Sequence, residues 1–203
     1  MNKAVTTEQI KELRAITGAG ILDCRKALEQ AGGDFDKAAE YLREKGLATA
    51  VKRSDRVATE GVVELYSHGN GRVGVMVEVN CETDFVARAE TFRNFAHEIA
   101  LQIAAAAPRY IRPDDIPSTV LEEEAEAARR RAREDGKPES VVERIIQGRL
   151  DKFKDEICLL RQPYIRNEDL TVEQLLLQTI AALGENVVIR RFTRWELGES
   201  STT

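Results

Sequence analysis

Side chains that could do chemistry are few in this sequence. His68 and His97 are its two histidines, far apart in the chain, and the three cysteines, Cys24, Cys81 and Cys158, are well separated. A structural zinc site wants four close Cys or His ligands, and a nucleophilic triad wants a base and an orienting acid that converge on one hydroxyl or thiol. Neither pattern occurs. Glu82 and Asp84 are close in sequence but have no His, Lys or metal ligand beside them, so they make a poor general acid–base pair. Metalloenzyme and triad-hydrolase chemistry are disfavoured, and binding chemistry is favoured.

Three segments could carry binding. The loop Thr17-Gly18-Ala19-Gly20-Ile21-Leu22-Asp23 superficially resembles a phosphate cradle. A dinucleotide loop needs a preceding strand, and a phosphate loop of the Walker type needs Gly-Lys-Ser/Thr after its second glycine. Here a helical pattern precedes and Ile21 follows Gly20, so the loop reads as a tight helix–helix turn or as a partner surface. Ile21 and Leu22 are adjacent and cannot share one core stripe. An exposed apolar residue beside Arg14, Arg25 and Lys26 suits a protein contact. The second segment, Asn80-Cys81-Glu82-Thr83-Asp84-Phe85-Val86-Ala87-Arg88, follows the cleanest strand pattern and precedes a helix. Thr83 or Asp84 can simply cap that helix with Phe85 in the core, which is the commoner use of such residues. The rival reading is a polar strand end that meets a partner. Third, the Arg129-Arg130-Arg131-Ala132-Arg133 cluster could touch RNA, but Glu122, Glu123, Glu124 and Glu126 lie within two turns, and ion pairing on a solvated helix explains it more simply.

The elements that must position these residues follow from composition and periodicity. The chain has 203 residues, 42% hydrophobic and 32% charged, enough apolar surface to bury a core. Its net charge of −5 gives no global basic field to attract nucleic acid. An odd cysteine count without a CxxC fits a reducing compartment. The N-terminus has no apolar signal region and no apolar run spans a bilayer, so a soluble cytoplasmic protein is expected, without membrane association.

Residues 1–53 read as a three-helix docking module. Thr6 and Gln9 form a capping box for a helix showing Ile10, Leu13 and Ile16. A second helix carries Ile21, Cys24, Ala27, Leu28 and Ala31. A third, capped by Asp34, carries Phe35, Ala38, Ala39 and Leu42 and ends at Gly46. From 54 to 198 an α+β core is expected. Gly61–Ser67 and Val73–Val79 pair as a hairpin across Gly69-Asn70-Gly71, and an amphipathic helix with Phe92, Phe95, Ala96, Ile99, Ala100 and Ile103 covers the sheet. A charged helical hairpin occupies 118–160, a helix runs from Val172 to Gly184, and Val187–Trp195 is a terminal strand. The fold class is α+β, a small antiparallel three-stranded sheet backed by helices. Residues 199–203 are expected to be a disordered tail.

Taken in order, several of these runs resemble the bacterial elongation factor Ts family. Leu13 to Leu28, with Thr17-Gly18-Ala19-Gly20 inside it, is similar to the family's N-terminal signature. Val79 to Arg88 is similar to its core signature. Gly136-Lys137-Pro138, Glu156 to Leu160 with Gln162-Pro163, and Gly184-Glu185-Asn186 with Arg190-Arg191-Phe192 resemble its later landmarks. The resemblance runs from about Val5 to Gly198 and implies a guanine-nucleotide exchange factor for elongation factor Tu, binding its GDP-bound and nucleotide-free forms. It implies no catalytic residue, metal or cofactor of the chain's own. The N-terminal module would be a ubiquitin-associated-like domain docking through Arg14, Ile21, Leu22 and Arg25. Thr83, Asp84, Phe85 and Val86 would be the wedge that dislodges the partner's magnesium ion, with Asp84 and Phe85 its principal actors.

Ile21-Leu22 stands where many relatives show two methionines, which puts docking specificity in question. Longer members carry two related core halves. This chain has room for one, so a symmetric homodimer is expected to supply the second. No cysteine lies on the terminal strand, which excludes an interchain disulfide there. The alternative reading is a ribosome- or RNA-associating protein that uses the charged hairpin and lacks exchange activity.

Overall fold

In the computed structural model, which describes residues 5–199, Thr6 opens the first helix. Its Oγ1 accepts from the Gln9 amide at 3.2 Å while Gln9 Oε1 accepts from the Thr6 amide at 3.0 Å, the reciprocal arrangement the sequence predicts. Helix α1 (Thr7–Thr17) stops at Gly18 in the left-handed region. Helix α2 (Ile21–Gln30) follows, then α3 (Phe35–Val51), whose first turn is capped by Asp34 accepting from the Lys37 amide at 3.1 Å. Leu13, Cys24, Ala27, Leu28, Ala38 and Leu42 form the core of these three helices.

Two expectations here are corrected. Ile16 is not on the core face but 66% exposed. A helix turns about 100° per residue, so six positions carry Ile16 about 120° round from Ile10, whereas Thr17 comes back to the buried side. Thr17 donates its hydroxyl to the Leu13 carbonyl at 2.7 Å. Helix α3 also passes through Gly46 and ends at Val51. A Cβ at Gly46 would stand 3.2 Å from the Cβ of Ala181, so this glycine serves close packing rather than termination.

Strand β1 (Glu60–His68) turns through Gly69, Asn70 and Gly71, all at positive φ, into β2 (Val73–Cys81). Glycine and asparagine are the residues that adopt this conformation at least cost, which is why the turn reads Gly-Asn-Gly. Val75, Val77 and Val79 are buried while Gly74 and Met76 are exposed, the alternation of a half-buried strand. The third strand, β5 (Val187–Glu196), lies on the other side of β2, giving an antiparallel sheet of order β1-β2-β5. Between β2 and β5 come the one-turn helix α4 (Asp84–Ala87) and α5 (Glu90–Ala106), with Phe92, Phe95, Ala96, Ile99, Ala100 and Ile103 buried as the spacing predicts. His97 Nδ1 meets Glu64 Oε1 at 2.9 Å, tying α5 to one face of β1.

Helices α6 (Ser118–Glu134) and α7 (Glu139–Ile157) form the predicted hairpin around Ala128, Ala132, Val142 and Ile146. Their cross-helix ion pairs, Arg133 with Glu139 (3.4 Å), Arg129 with Glu143 (3.5 Å) and Arg149 with Glu124 (2.5 Å), have partner numbers that fall as the others rise, the signature of antiparallel helices. Arg129 also pairs with Glu126, so part of the arginine cluster is spent on its own hairpin. A short ribbon, β3 (Pro163–Tyr164) with β4 (Asn167–Thr171), is absent from the sequence reading because it is too short to alternate. Beside it Gln102 and Gln162 are buried and hydrogen-bonded, Gln102 to Pro163 and Ile165, Gln162 to the Ala106 and Glu156 carbonyls. Helix α8 (Val172–Leu183) ends at Gly184 in the left-handed region.

The chain forms two compact units. One comprises residues up to Leu65, Met76–Ile99 and Gln174–Phe192; the other comprises Tyr66–Val75, Ala100–Glu173 and the chain from Thr193 onward. Of the expected disordered tail, residues 200–203 lie outside the described residues. Glu199 is held by Arg194 Nη1 at 2.9 Å and by the Glu196 amide at 3.1 Å.

Candidate partner-binding site

Strand β2 delivers the chain to Cys81, which is fully buried, and the backbone then leaves the sheet at Glu82. Thr83 caps α4: its Oγ1 accepts from the Val86 amide at 3.3 Å. The same hydroxyl donates to Glu185 Oε1 at 2.7 Å, and the Thr83 amide donates to Glu185 Oε2 at 3.0 Å. One carboxylate thus holds the start of the turn by two bonds, each strengthened by its charge. On the other side of this junction the Glu82 carboxylate accepts from the Asn186 amide at 2.6 Å and faces Arg56 at 3.5 Å. The Asn186 side chain donates onward to the carbonyls of Ser54 (3.1 Å) and Arg56 (2.7 Å).

What this mount presents is Phe85. Its side chain is 81% exposed, while its neighbour Val86 is 7% exposed. Asp84 is also exposed and pairs with Arg88 at 2.8 Å, one turn on. Of the two readings of this segment, Thr83 does cap the following turn, but Phe85 is not core. An aromatic ring left in water on this turn forgoes the roughly 1.5–3 kcal/mol that burial would return.

Cys81 sits behind this turn with its thiol donating to the Thr83 carbonyl at 3.2 Å. Burial first, and then the Glu185 carboxylate, push the thiol up to about 11, so it stays protonated and is no nucleophile at neutral pH. Cys24, Cys81 and Cys158 are all free and buried. Among the described residues no group of three or more His, Cys, Asp or Glu side chains could hold a metal.

At the other candidate surface, Arg14, Ile21, Leu22 and Arg25 are all exposed, with Ile21 at 54% and Leu22 at 70%. The core stripe of α2 begins only at Cys24, so both apolar residues of its first turn are left outside. Arg25 is paired with Glu29 at 2.8 Å along the same helix. Ile16 adds a third exposed aliphatic side chain near the end of α1, where the i, i+3 spacing predicts a buried one. Glu185 and Asn186 are the residues that sequence reasoning assigned no role. Their partners lie more than 100 positions away in the chain, at separations of 102 and 104, beyond any local pattern.

The sequence profile of the family described as Elongation factor TS matches residues 3–199, taking in both surfaces. The chain belongs to the elongation factor Ts family. It is 57% identical over 195 residues to elongation factor Ts of Carboxydothermus hydrogenoformans, covering 96% of this chain and 90% of that protein. It is 56% identical over 199 residues to elongation factor Ts of a Thermoanaerobacter species, covering 98% of both chains. To elongation factor Ts of Moorella thermoacetica it is 55% identical over 195 residues, covering 96% of each. Membership of the elongation factor Ts family is therefore a property of the whole described chain rather than of one motif. No helix among the described residues is long and apolar enough to cross a membrane.

Proposed function

We propose that this chain promotes exchange of GDP for GTP on elongation factor Tu in the cytoplasm, with Thr83, Asp84, Phe85 and Val86 as the wedge. The observation that carries the reading is the exposed Phe85 ring on a turn held by a hydrogen-bonded Thr83 on one side and a buried Val86 on the other. A magnesium ion tolerates little departure from octahedral coordination, so a small push on the protein groups that hold it weakens the nucleotide strongly. A ring on a turn that neighbouring residues clamp is a stiff tool for such a push. Asp84 adds a carboxylate beside the ring, steered by Arg88. Exchange then follows from reciprocity: if the factor weakens GDP by some ratio, GDP weakens the factor by the same ratio, and incoming GTP expels it. In this reading the chain makes and breaks no bond and needs no cofactor.

Residues 1–53 serve as the docking module, with their own core, and Arg14, Ile21, Leu22 and Arg25 as the contact. Residues 54–198 are the working core. The chain acts as a homodimer, for which the open face of the sheet provides support. Glu64 bonds to α5, so Val63 and Leu65 point the other way and are exposed, as is Met76 on the neighbouring strand. Such an apolar face calls for cover. The test of the main reading is release of fluorescent GDP from elongation factor Tu. Acceleration is expected; no acceleration together with salt-sensitive RNA binding would favour the rival reading through the α6–α7 hairpin.

A further inference from the structure

We infer that Glu185 and Asn186 are positioning residues for the wedge, holding residues 82–86 in the attitude that presents Phe85, an inference that rests on the exchange reading above. The wedge cannot be stiff by itself. Helix α4 is a single turn, and one turn fixes several dihedral angles for very few hydrogen bonds, so an isolated turn of this kind is unstable. Rigidity has to come from outside the segment, and two adjacent residues between α8 and β5 supply it.

Glu185 accepts both donors of Thr83, at 3.0 and 2.7 Å, which fixes the direction in which the turn leaves the strand. Two bonds from one residue to one carboxylate constrain rotation as well as distance. Asn186 works on the other flank. Its amide holds the Glu82 carboxylate at 2.6 Å, and its side chain, buried in a residue only 1% exposed, bridges to the Ser54 and Arg56 carbonyls. The turn is thereby clamped between the α8–β5 connection and the segment that follows α3. Neither Glu185 nor Asn186 is bonded to Asp84 or Phe85 in this network, so their part is to aim the two working side chains rather than to touch the nucleotide partner. A residue that only aims changes how well the bound factor works, whereas a residue that only docks changes how much factor is needed.

The experiment measures release of fluorescent GDP from elongation factor Tu against increasing concentrations of the full chain and of its Glu185→Ala, Glu185→Gln and Asn186→Ala variants. The expected result is a fall of about tenfold or more in the saturating rate for Glu185→Ala and Asn186→Ala, with the half-saturating concentration within about twofold of the parent. Glu185→Gln keeps the shape and one acceptor oxygen, and should recover part of the loss. A second readout needs no partner: the rate at which a thiol reagent modifies Cys81 in the free chain, located by mass spectrometry, should rise about tenfold in Glu185→Ala as the turn above it loosens. Folded variants that reach the parental saturating rate, or that change only the half-saturating concentration, would overturn the assignment. If Glu185→Ala fails to fold, Glu185→Gln decides by the same two criteria. A parent chain that does not accelerate release is a different result, since it removes the exchange reading and this role with it.

Discussion

Thr83 turns both its amide and its hydroxyl toward one carboxylate, that of Glu185, at 3.0 and 2.7 Å, across 102 positions of sequence. That pairing leaves the Thr83 oxygen a lone pair for the Val86 amide, so the same residue closes the turn and ties it to the α8–β5 connection. Phe85 stands on that tied turn, 81% exposed beside the buried Val86.

Replacing that ring should therefore separate function from fold. An exposed side chain contributes little to stability, so Phe85→Ala should leave the unfolding free energy read from urea titration within about 0.5 kcal/mol of the parent. The saturating rate of GDP release should nevertheless fall about tenfold or more, while docking, read as the half-saturating concentration, changes little. A large stability loss would mean that the ring packs against the chain after all.

Ile21→Asp and Leu22→Asp should do the opposite. Both side chains are outside the three-helix core, so a carboxylate is tolerated there in the free chain, but it would be buried unpaired at a protein contact. The half-saturating concentration should rise about tenfold or more and the saturating rate should hold. Titration of the exchange rate against factor concentration separates the two parameters.

Much of this was legible in the sequence because it is local. The capping box of Thr6 and Gln9, the Gly-Asn-Gly turn, the alternating valines of β2 and the two helices of the hairpin all announce themselves within a few residues. Ile16 misled because an i, i+3, i+6 reading drifts off a stripe of period 3.6, and Gly46 misled because a glycine can mark close packing as well as an end. The anchoring of Thr83 by Glu185, and of Glu82 by Asn186, carries no local signature. A glutamate and an asparagine after a helix look like any solvated loop until the fold brings them under the strand end.

Cys81 gives the chain a signature at high pH. Its thiol titrates at about 11 in the folded chain against 9.0 for the unperturbed group, chiefly through burial. The folded form holds the proton more tightly than the unfolded form, so this contribution to stability is complete below pH 9 and is lost as the pH rises through 11. Denaturation midpoints measured between pH 8 and 11 should fall more steeply for the parent than for Cys81→Ala. Parallel curves would show that the thiol titrates alike in both states.

The exposed face formed by Val63, Leu65 and Met76 predicts the assembly state. Sedimentation at micromolar concentration should give about twice the 22.7 kDa of one chain. Leu65→Asp should shift the population toward the single chain without unfolding it, since this side chain is already exposed. A parent chain that sediments near 23 kDa sinks the dimer proposal.

Gly61 tests whether the pairing of β1 with β2 sets the position of the wedge. A Cβ at this residue would stand 2.1 Å from the Val79 carbonyl oxygen and 2.7 Å from the Asn80 Cα, and the residue has φ of 149°. No L side chain fits there without moving one strand away from the other. Backbone on both sides is engaged, with the Asn80 side chain donating to the Glu60 carbonyl at 3.2 Å, so the strain has no flexible side chain to absorb it. Gly61→Ala should cost about 1–3 kcal/mol, the range of substitutions that force backbone strain. Because Asn80 leads directly into Cys81 and Thr83, the displacement should reach the wedge. The saturating exchange rate should fall even at a temperature where the variant is fully folded. Gly71→Ala, at a turn position with no atom within 4 Å of the added Cβ, is the control. It carries the cost of a positive φ alone and should leave the exchange rate at the parental value.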